Sequence, residues 1–358
     1  MTVLLLVGTR KGLFLLTGDD RRRDWDVEGP LLPGWEILHA VVDPRNRALY
    51  ACTNSFPYGA AVHRSDDSGA TWQRSEELGL PEESGLKLEK TWHIEPGDGS
   101  DAQTLWLGGA PGALFRTDDG GSTWQPVQSI LEHPTRERWQ PGAGGMCCHS
   151  IQVDPGDPNR LYVGISAAGV FRSDDRGESW TPANAGTAAD FMPDPYPEVG
   201  QCVHKLLVHP QRPDRLWQQN HCGVYRSDNR GESWERLDGN GLPSGFGFPL
   251  ALHPREPDTA WVVPEEGAEN RVTCDGRLGV YRTRDGGASW ELASKGLPEQ
   301  AWLAVLRESA TTDELDPVGV YVGTQSGSVF VSPSEGDEWV EAVRHLPPIL
   351  SLEAAEWP

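Results

Sequence analysis

Short apolar segments alternate with turn-forming residues along the whole chain. One recurring segment starts at a Gly and ends at Ser or Thr, as in GALFRT (112–117) and GVYRS (223–227). A second places Asp-Pro or His-Pro between two apolar runs, as in AVVDPRNRALYA (40–51). Apolar runs of this length, bounded by Gly, Pro and Asp, are typical of β-strands. The pattern therefore predicts a repeating unit of four short strands.

A polar motif marks the end of each unit and is called the box below. The clear copies are SDDSGATW (65–72), TDDGGSTW (117–124), SDDRGESW (173–180), SDNRGESW (227–234) and TRDGGASW (283–290), followed by a worn copy, SPSEGDEW (332–339). Their starts are 52, 56, 54, 56 and 49 residues apart, and 17–25 is a distorted first copy. Such periods are typical of propeller blades.

The chemistry of the box predicts a hydrogen-bonded turn. An Asp carboxylate can accept hydrogen bonds from nearby backbone N–H groups, Gly tolerates a positive φ, and Trp can pack between neighbouring sheets. Asn229 and Ser334 replace the box Asp in two copies. We expect those two turns to be looser.

The two ends of the chain complete the blade count. The chain opens with LLLVGTRKGLFLL, which corresponds to the second and third strands of a blade, and closes with PPILSLEAAEW, which resembles a first strand. Pairing these strands in one blade closes the ring and removes an exposed sheet edge. The sequence predicts an all-β fold: a single seven-bladed β-propeller domain over residues 1–358.

Composition and charge narrow the choice of partners. Gly (41) and Pro (29) supply the turns, and 53 acidic against 31 basic residues give a net charge of −22. Repulsion at this charge argues against nucleic acid and against an anionic membrane surface. Six cysteines in a chain without a recognisable signal peptide do not suggest a disulfide framework, so we expect a cytoplasmic protein with reduced thiols.

The boxes resemble those of the Asp-box, or BNR-repeat, family of sialidase-like propellers, and the resemblance covers essentially the whole chain. It implies the propeller fold and boxes that act as structural turns away from the active site. The resemblance also offers two functions, carbohydrate processing and assembly-factor-like binding of a ligand or protein.

Loop lengths indicate where a site could lie. The segments from a box Trp to the next inner strand are long at 73–92, 125–148 and 181–203, with 20, 24 and 23 residues. The connections between second and third strands, such as PEEGAENRVTCDGRLG (264–279), are expected on the same face. Long loops on a rigid scaffold commonly carry binding sites.

Histidines in or near these loops suggest one hypothesis. His149, His204 and His221 could bind a divalent transition metal, since imidazole suits zinc, iron or manganese. No short metal-binding spacing supports this set, and the alternative is inner-strand histidines that bind water or backbone. No other cofactor is predicted.

Carboxylates in the same loops suggest a second hypothesis, because glycoside hydrolysis uses two carboxyl groups across the scissile bond. The alternative is that these groups solvate and cap the loops. The candidate catalytic residues are Glu132, Asp194, Glu198, His149 and His204. The candidate sugar contacts are Trp139, Tyr196, Asn220, His221 and His93.

The sequence argues against a true sialidase. Recognition of a sialic-acid carboxylate uses several arginines, because the guanidinium fork matches it. The Arg-Ile-Pro signature of the family is missing, and the corresponding region reads GTRKGLF. We therefore expect a carbohydrate-directed hydrolase or lyase with its site at the channel mouth. The alternative is a non-catalytic propeller that binds a small ligand or a protein.

Overall fold

The computed structural model describes residues 2–99 and 101–357, which form seven four-stranded sheets. The first contains β1 (Thr2–Thr9), β2 (Gly12–Gly18), β3 (Trp25–Leu31) and β28 (Ile349–Trp357). The second contains β4 (Glu36–Val42), β5 (Leu49–Ser55), β6 (Gly59–Ser65) and β7 (Gln73–Arg74). The third contains β8 (Lys90–Pro96), β9 (Leu105–Ala110), β10 (Ala113–Thr117) and β11 (Gln125–Pro126).

The remaining four sheets follow in chain order. The fourth contains β12 (Cys147–Val153), β13 (Leu161–Ser166), β14 (Gly169–Ser173) and β15 (Thr181–Pro182). The fifth contains β16 (Val203–His209), β17 (Arg212–Asn220), β18 (Gly223–Ser227) and β19 (Glu235–Arg236). The sixth contains β20 (Gly247–Leu252), β21 (Ala260–Pro264), β22 (Tyr281–Thr283) and β23 (Glu291–Leu292). The seventh contains β24 (Ala310–Thr312), β25 (Val320–Gly323), β26 (Val329–Ser332) and β27 (Val340–Val343).

Helical structure is confined to short connections. The described residues contain one α-helix, α1 (Gln128–Leu131), and three 3₁₀ turns, Glu82–Ser84, Arg136–Arg138 and Cys274–Gly276. No helix of the described residues is long and apolar enough to cross a membrane. The seven sheets are the blades of a seven-bladed β-propeller, and the predicted all-β fold class is confirmed.

The first sheet is closed by the two ends of the chain. β28 pairs antiparallel with β1, and Leu5 lies opposite Ala354 in the register. The order β28, β1, β2, β3 makes the C-terminal strand the first strand of this blade, as the sequence predicts. The backbone edge of β1 is thereby hydrogen-bonded rather than exposed.

The chain divides into two compact units. Unit 1 runs up to Ile37, includes Trp217–Arg226 and continues from Glu235, whereas unit 2 contains Leu38–Leu216 and Ser227–Trp234. The single domain over 1–358 stays a prediction. None of the six cysteines forms a disulfide in the structure.

Each unit has its own apolar core. In unit 1, Val3, Leu5 and Leu16 of the first sheet pack with Tyr321 and Val331 of the seventh. In unit 2 the core runs through the second, third and fourth sheets. The largest fully buried side chains of unit 2 are Tyr50, Tyr162, Phe115 and Phe171. Burial of apolar surface of this kind is the dominant favourable contribution to folding.

The box forms the hydrogen-bonded turn that its chemistry predicts. In the first clear copy the Ser65 hydroxyl accepts the N–H of Gly69 at 2.9 Å. Asp67 accepts both the N–H of Thr71 at 2.8 Å and its hydroxyl at 2.6 Å. Trp72 donates from Nε1 to the Gly69 carbonyl at 2.9 Å. The turn therefore satisfies its own backbone groups.

The expectation that the turn of the fourth clear copy is looser is wrong, because Asn229 makes the same hydrogen bonds as the box Asp. Asn229 Oδ1 accepts the hydroxyl of Ser227 at 2.8 Å and the N–H of Ser233 at 3.0 Å, and its Nδ2 donates to the Ser233 hydroxyl at 2.9 Å. An amide can replace the carboxylate because Nδ2 donates to the hydroxyl that otherwise donates to Asp. In the worn copy, Ser334 accepts a longer bond of 3.2 Å from Glu338 N–H.

The distorted copy at 17–25 also forms a turn. Trp25 Nε1 donates to the carbonyl of Arg22 at 3.2 Å, which is the bond that Trp72 makes to Gly69. Arg22 has a φ of 57°, so it adopts the left-handed conformation that a Gly adopts in the clear copies. All seven turns of the repeat are thus identifiable.

Candidate functional site

The predicted carboxylates lie in exposed loops of unit 2. Glu132 ends α1 and accepts a 2.6 Å bond from Gln128 Nε2. Asp194 Oδ1 accepts the N–H of Tyr196 at 3.0 Å, and Glu198 pairs with Arg138. Glu132 and Asp194 have partners in their own loops, whereas Glu198 pairs with a residue of another loop, and the catalytic role of all three stays a prediction.

The two predicted stacking aromatics differ in burial. Tyr196 is 63% exposed, whereas Trp139 is 3% exposed. Trp139 donates from Nε1 to Thr135 Oγ1 at 2.9 Å and packs 5.0 Å from the Phe171 ring. The geometry places Trp139 in the core, where it anchors its loop, and leaves Tyr196 open to a ligand.

The predicted histidines of unit 2 are buried in inner strands. His149, in β12, has Nε2 2.9 Å from the Val203 carbonyl and Nδ1 3.1 Å from Ser150 Oγ. His204 is 2% exposed in β16. His93, in β8, stacks on His39 with ring centroids 4.1 Å apart. The contacts of His149 with a backbone carbonyl and a hydroxyl agree with the alternative to metal binding, in which inner-strand histidines bind water or backbone.

Asn220 and His221 lie in unit 1, at the turn between β17 and β18. Asn220 is fully buried, and its Oδ1 accepts the N–H of Cys222 at 3.2 Å. His221 packs edge-on against Phe246 with centroids 5.2 Å apart. Because His221 belongs to unit 1 while His149 and His204 belong to unit 2, the divalent-metal hypothesis for these three stays a prediction.

A cluster of side chains in unit 1 combines a buried acid with arginines and aromatic rings. We call it the Glu265 cluster, and its members are Glu265, His221, Phe246, Phe248, Arg271 and Arg307. The segments that carry them lead into β20 and β24 or connect second and third strands. These are the two classes of loop that the sequence assigns to one face.

Glu265 directly follows β21 and is fully buried. Its N–H donates to the Phe246 carbonyl at 2.8 Å, and its Oε1 accepts the N–H of Val305 at 3.3 Å. Its Oε2 is buried and has no hydrogen-bond partner within residues 2–99 and 101–357. A buried polar atom left in this way usually marks a position for water or a ligand group.

Burial raises the pKa of the Glu265 carboxyl to about 7 from an ordinary value of 4.5. The charged form would have to leave water, and this effect outweighs the Val305 N–H and the Arg271 charge, which both lower the pKa. A carboxyl with a pKa near 7 is suited to giving or taking a proton near neutral pH.

The two arginines lie beside the Phe248 ring, and the charge of one of them, Arg271, also acts on Glu265. The Arg271 guanidinium lies 5.6 Å from the Phe248 ring centroid, and that of Arg307 lies 6.0 Å from it. Phe248 packs on Phe246 with centroids 5.3 Å apart. Burial, helped by the Arg271 charge, lowers the pKa of His221, so this imidazole is neutral at neutral pH.

The sequence alone did not single out Glu265. The loop 264–279 was assigned to the functional face, but Glu265 and Glu266 are adjacent there and look alike. In the structure Glu266 is exposed, whereas Glu265 is buried. The one feature that could have indicated burial of Glu265 is its position directly after a five-residue apolar strand, which the structure shows to be buried throughout.

A separate pocket lies in unit 2. It has a volume of about 290 Å³ and is lined by Ala60, Arg74, Ser75, Glu76 and Leu78. None of the predicted site residues lines it. Glu265, whose pKa is raised, lies in unit 1 and is not part of this pocket.

Comparisons with known proteins point to propellers. A family model described as Sortilin-Vps10 (Sortilin, neurotensin receptor 3) matches residues 168–321. The xyloglucanase Xgh74A of Acetivibrio thermocellus is 23% identical over 255 residues, which are 64% of this chain and 29% of that protein. The oligoxyloglucan-reducing end-specific xyloglucanase of Emericella nidulans is 27% identical over 188 residues, covering 50% of this chain and 21% of that protein.

A solved structure shows the same fold. An ancestral GH74 enzyme superposes with a TM-score of 0.60 at 15% sequence identity, covering 89% of this chain and 38% of that chain. At this identity the likeness shows the propeller fold alone. The chain spans less than a third of the length of the two xyloglucanases.

Proposed function

We propose that this chain is a carbohydrate-directed glycoside hydrolase propeller in which Glu265 is the proton donor. The observation that carries the proposal is a fully buried carboxyl with a pKa of about 7 whose Oε2 meets no hydrogen-bond partner in the part of the chain that the structure describes. The named activity of the xyloglucanases that match the chain supports the same substrate class.

The proposed chemistry is hydrolysis of a glycosidic bond. Glu265 gives its proton to the bridging oxygen as the bond from that oxygen to the anomeric carbon breaks. Water adds to the anomeric carbon, and its released proton returns through solvent to restore the acid form of Glu265. Since Oε2 is closed off from solvent, the proposed step requires a local opening around Glu265 before substrate can reach it.

The proposal also covers the type of propeller, its location in the cell and its partners. The box geometry supports a sialidase-like propeller of the Asp-box type, while the missing arginine signature argues against sialidase activity. We also propose a cytoplasmic location, a carbohydrate or other small ligand as partner, and neither nucleic acid nor membrane as a partner. A divalent metal on His149, His204 and His221 is retained as a lower-ranked hypothesis.

A substrate screen tests the function. The purified chain is incubated with xyloglucan, neutral β-glucans and a panel of aryl glycosides, and the release of new reducing ends or of the aryl group is measured. We expect release from at least one neutral glycan. No release from any of them, with a folded protein, would contradict a glycoside hydrolase.

The second candidate is a non-catalytic propeller that binds a ligand or a protein. Glycosidases use two carboxyl groups, and the predicted Glu132, Asp194 and Glu198 are exposed and held by loop contacts. Phe191 and Tyr196 of the same region are 52% and 63% exposed, as in a binding surface. Retained ligand binding without hydrolysis would favour this candidate.

A further inference from the structure

Trp302 is unusual among the 15 tryptophans of the chain. Its side chain is 71% exposed, whereas the other tryptophans of residues 2–99 and 101–357 are buried or half-buried. A large ring exposed to this extent offers an apolar face with a polar N–H edge that a ligand can cover.

The indole is nevertheless held against the backbone. A Cβ added to Gly276 would lie 2.7 Å from Cε2 and Nε1 of Trp302 and 2.9 Å from Cζ2. Such distances leave no room for any side chain at residue 276. Gly276 also has a φ of 63°, which favours glycine. One side of the ring therefore rests on Gly276 while much of its surface stays open.

The segment that carries Trp302 is fixed on both sides of the ring. The N–H of Ala301 donates to the Gly276 carbonyl at 2.7 Å, and the N–H of Thr273 donates to the Leu303 carbonyl at 3.0 Å. The Thr273 hydroxyl also donates to the Ala301 carbonyl. A ring held in this way loses little conformational entropy when it binds a ligand.

The same segment reaches the buried acid. Three residues after Trp302, the N–H of Val305 donates to Oε1 of Glu265. The loop 265–277 supplies both the acid at its start and the glycine under the indole near its end. The backbone therefore couples the position of the exposed ring to that of the proposed proton donor.

We propose that Trp302 is a stacking platform for a pyranose ring of a neutral glycan, adjoining the Glu265 cluster. Rigid, exposed indole faces suit the apolar C–H faces of sugars, which pair an apolar body with polar edges. The supporting loop carries exposed groups of both signs, Glu266, Glu269 and Asp275 with Arg271 and Arg277, which can hydrogen-bond sugar hydroxyls at the edges of the ring. The ligand class rests on the proposed function.

Binding measurements test the platform. Cellotetraose and a xyloglucan oligosaccharide are titrated into the full chain carrying Glu265→Gln, so that no turnover interferes, with and without Trp302→Ala. We expect Trp302→Ala to weaken binding about tenfold, equivalent to about 1.4 kcal/mol, and Trp302→Tyr to restore part of it. The matched control is Phe56→Ala, which removes a fully exposed aromatic residue of unit 2 and should leave binding unchanged.

Two further readouts separate the possible failures. The oligosaccharide should protect the exposed indole from acrylamide quenching, and Gly276→Ala should weaken binding although Trp302 is retained. Unchanged affinity in Trp302→Ala, or no binding of either probe, would overturn the platform. Binding that depends on Trp302 in a chain that hydrolyses nothing would support the platform and overturn only the proposed hydrolase function.

Discussion

The backbone N–H of Val305 donates a hydrogen bond of 3.3 Å to Oε1 of Glu265, and no group of the described residues donates to Oε2 of that buried carboxyl. One oxygen is thus satisfied as an acceptor, and the other is left to carry the proton. The folded state stabilises the neutral acid because ionisation would leave a poorly compensated charge in the interior.

Protein stability should fall as pH rises through neutrality. The pKa of Glu265 is raised from 4.5 to about 7 in the folded state, so the native chain binds this proton more tightly than the unfolded chain does. The resulting stabilisation is complete below pH 4.5 and is lost as pH rises through about 7. Its size is on the order of 3 kcal/mol at 1.36 kcal/mol per pKa unit.

The measurement is denaturant unfolding of the wild type and Glu265→Gln at pH 5 and pH 8. Glutamine cannot ionise, so the wild type should lose stability relative to the variant over this range. Arg271 and Cys274 are the other titratable groups coupled to Glu265, and they are unchanged in both proteins. Parallel pH profiles would show that Glu265 has an ordinary pKa.

A buried ion pair in unit 1 should matter strongly for stability. Arg22 donates to Asp313 from Nε at 2.6 Å and from Nη2 at 2.9 Å, and Tyr321 donates to the same carboxylate at 2.6 Å. Arg22→Ala leaves Asp313 as an uncompensated buried charge, which costs about 3 to 5 kcal/mol. Tyr321→Phe removes one hydrogen bond and should cost about 1 to 3 kcal/mol.

Chemical denaturation measures both changes, and Arg23→Ala is the control because Arg23 is exposed and only its backbone N–H bonds to Asp19. We expect the control to unfold like the wild type. Equal stability of Arg22→Ala and Arg23→Ala would mean that the pair contributes nothing.

The box should tolerate an amide but not an alanine. Asp119 accepts bonds from the Thr117 hydroxyl and from the N–H and hydroxyl of Thr123, and Asn229 makes the equivalent contacts in its own copy. We therefore expect Asp119→Asn to stay within about 0.5 kcal/mol of the wild type. Asp119→Ala should cost about 1 to 2 kcal/mol, since it leaves turn donors without a partner.

Thermal unfolding of the two Asp119 variants tests this expectation, with Asn229→Asp as the reciprocal change. An Asp119→Asn protein as unstable as Asp119→Ala would show that the negative charge, rather than hydrogen-bond geometry, holds the turn.

The fold could be predicted from the sequence because its determinants are local. Each box closes its turn with groups at most four residues apart, such as Ser65 with Gly69 and Asp67 with Thr71. The distorted copy has the same local bond, from Trp25 to Arg22, as the first two clear copies have from Trp72 and Trp124. The closing strand pair was predictable because the repeat lacked one strand at its start.

The site was harder to predict because burial within loops depends on distant contacts. Trp139 and Trp302 both lie in loops, yet one is 3% exposed and the other 71%. Glu265 and Glu266 are neighbours, but only Glu265 meets Val305, 40 residues further along. Neither loop has the periodicity from which the inward-facing side can be inferred.

The most direct test of the account compares kcat/KM of the wild type, Glu265→Gln and the matched control Glu266→Gln on the glycan that the screen identifies. General acid catalysis contributes about 100-fold or more to rate, so Glu265→Gln should lose at least that factor while remaining folded. Glu266→Gln, which changes the exposed neighbour, should keep nearly wild-type activity. A folded Glu265→Gln protein with wild-type kcat/KM would contradict the assignment of Glu265 as the proton donor.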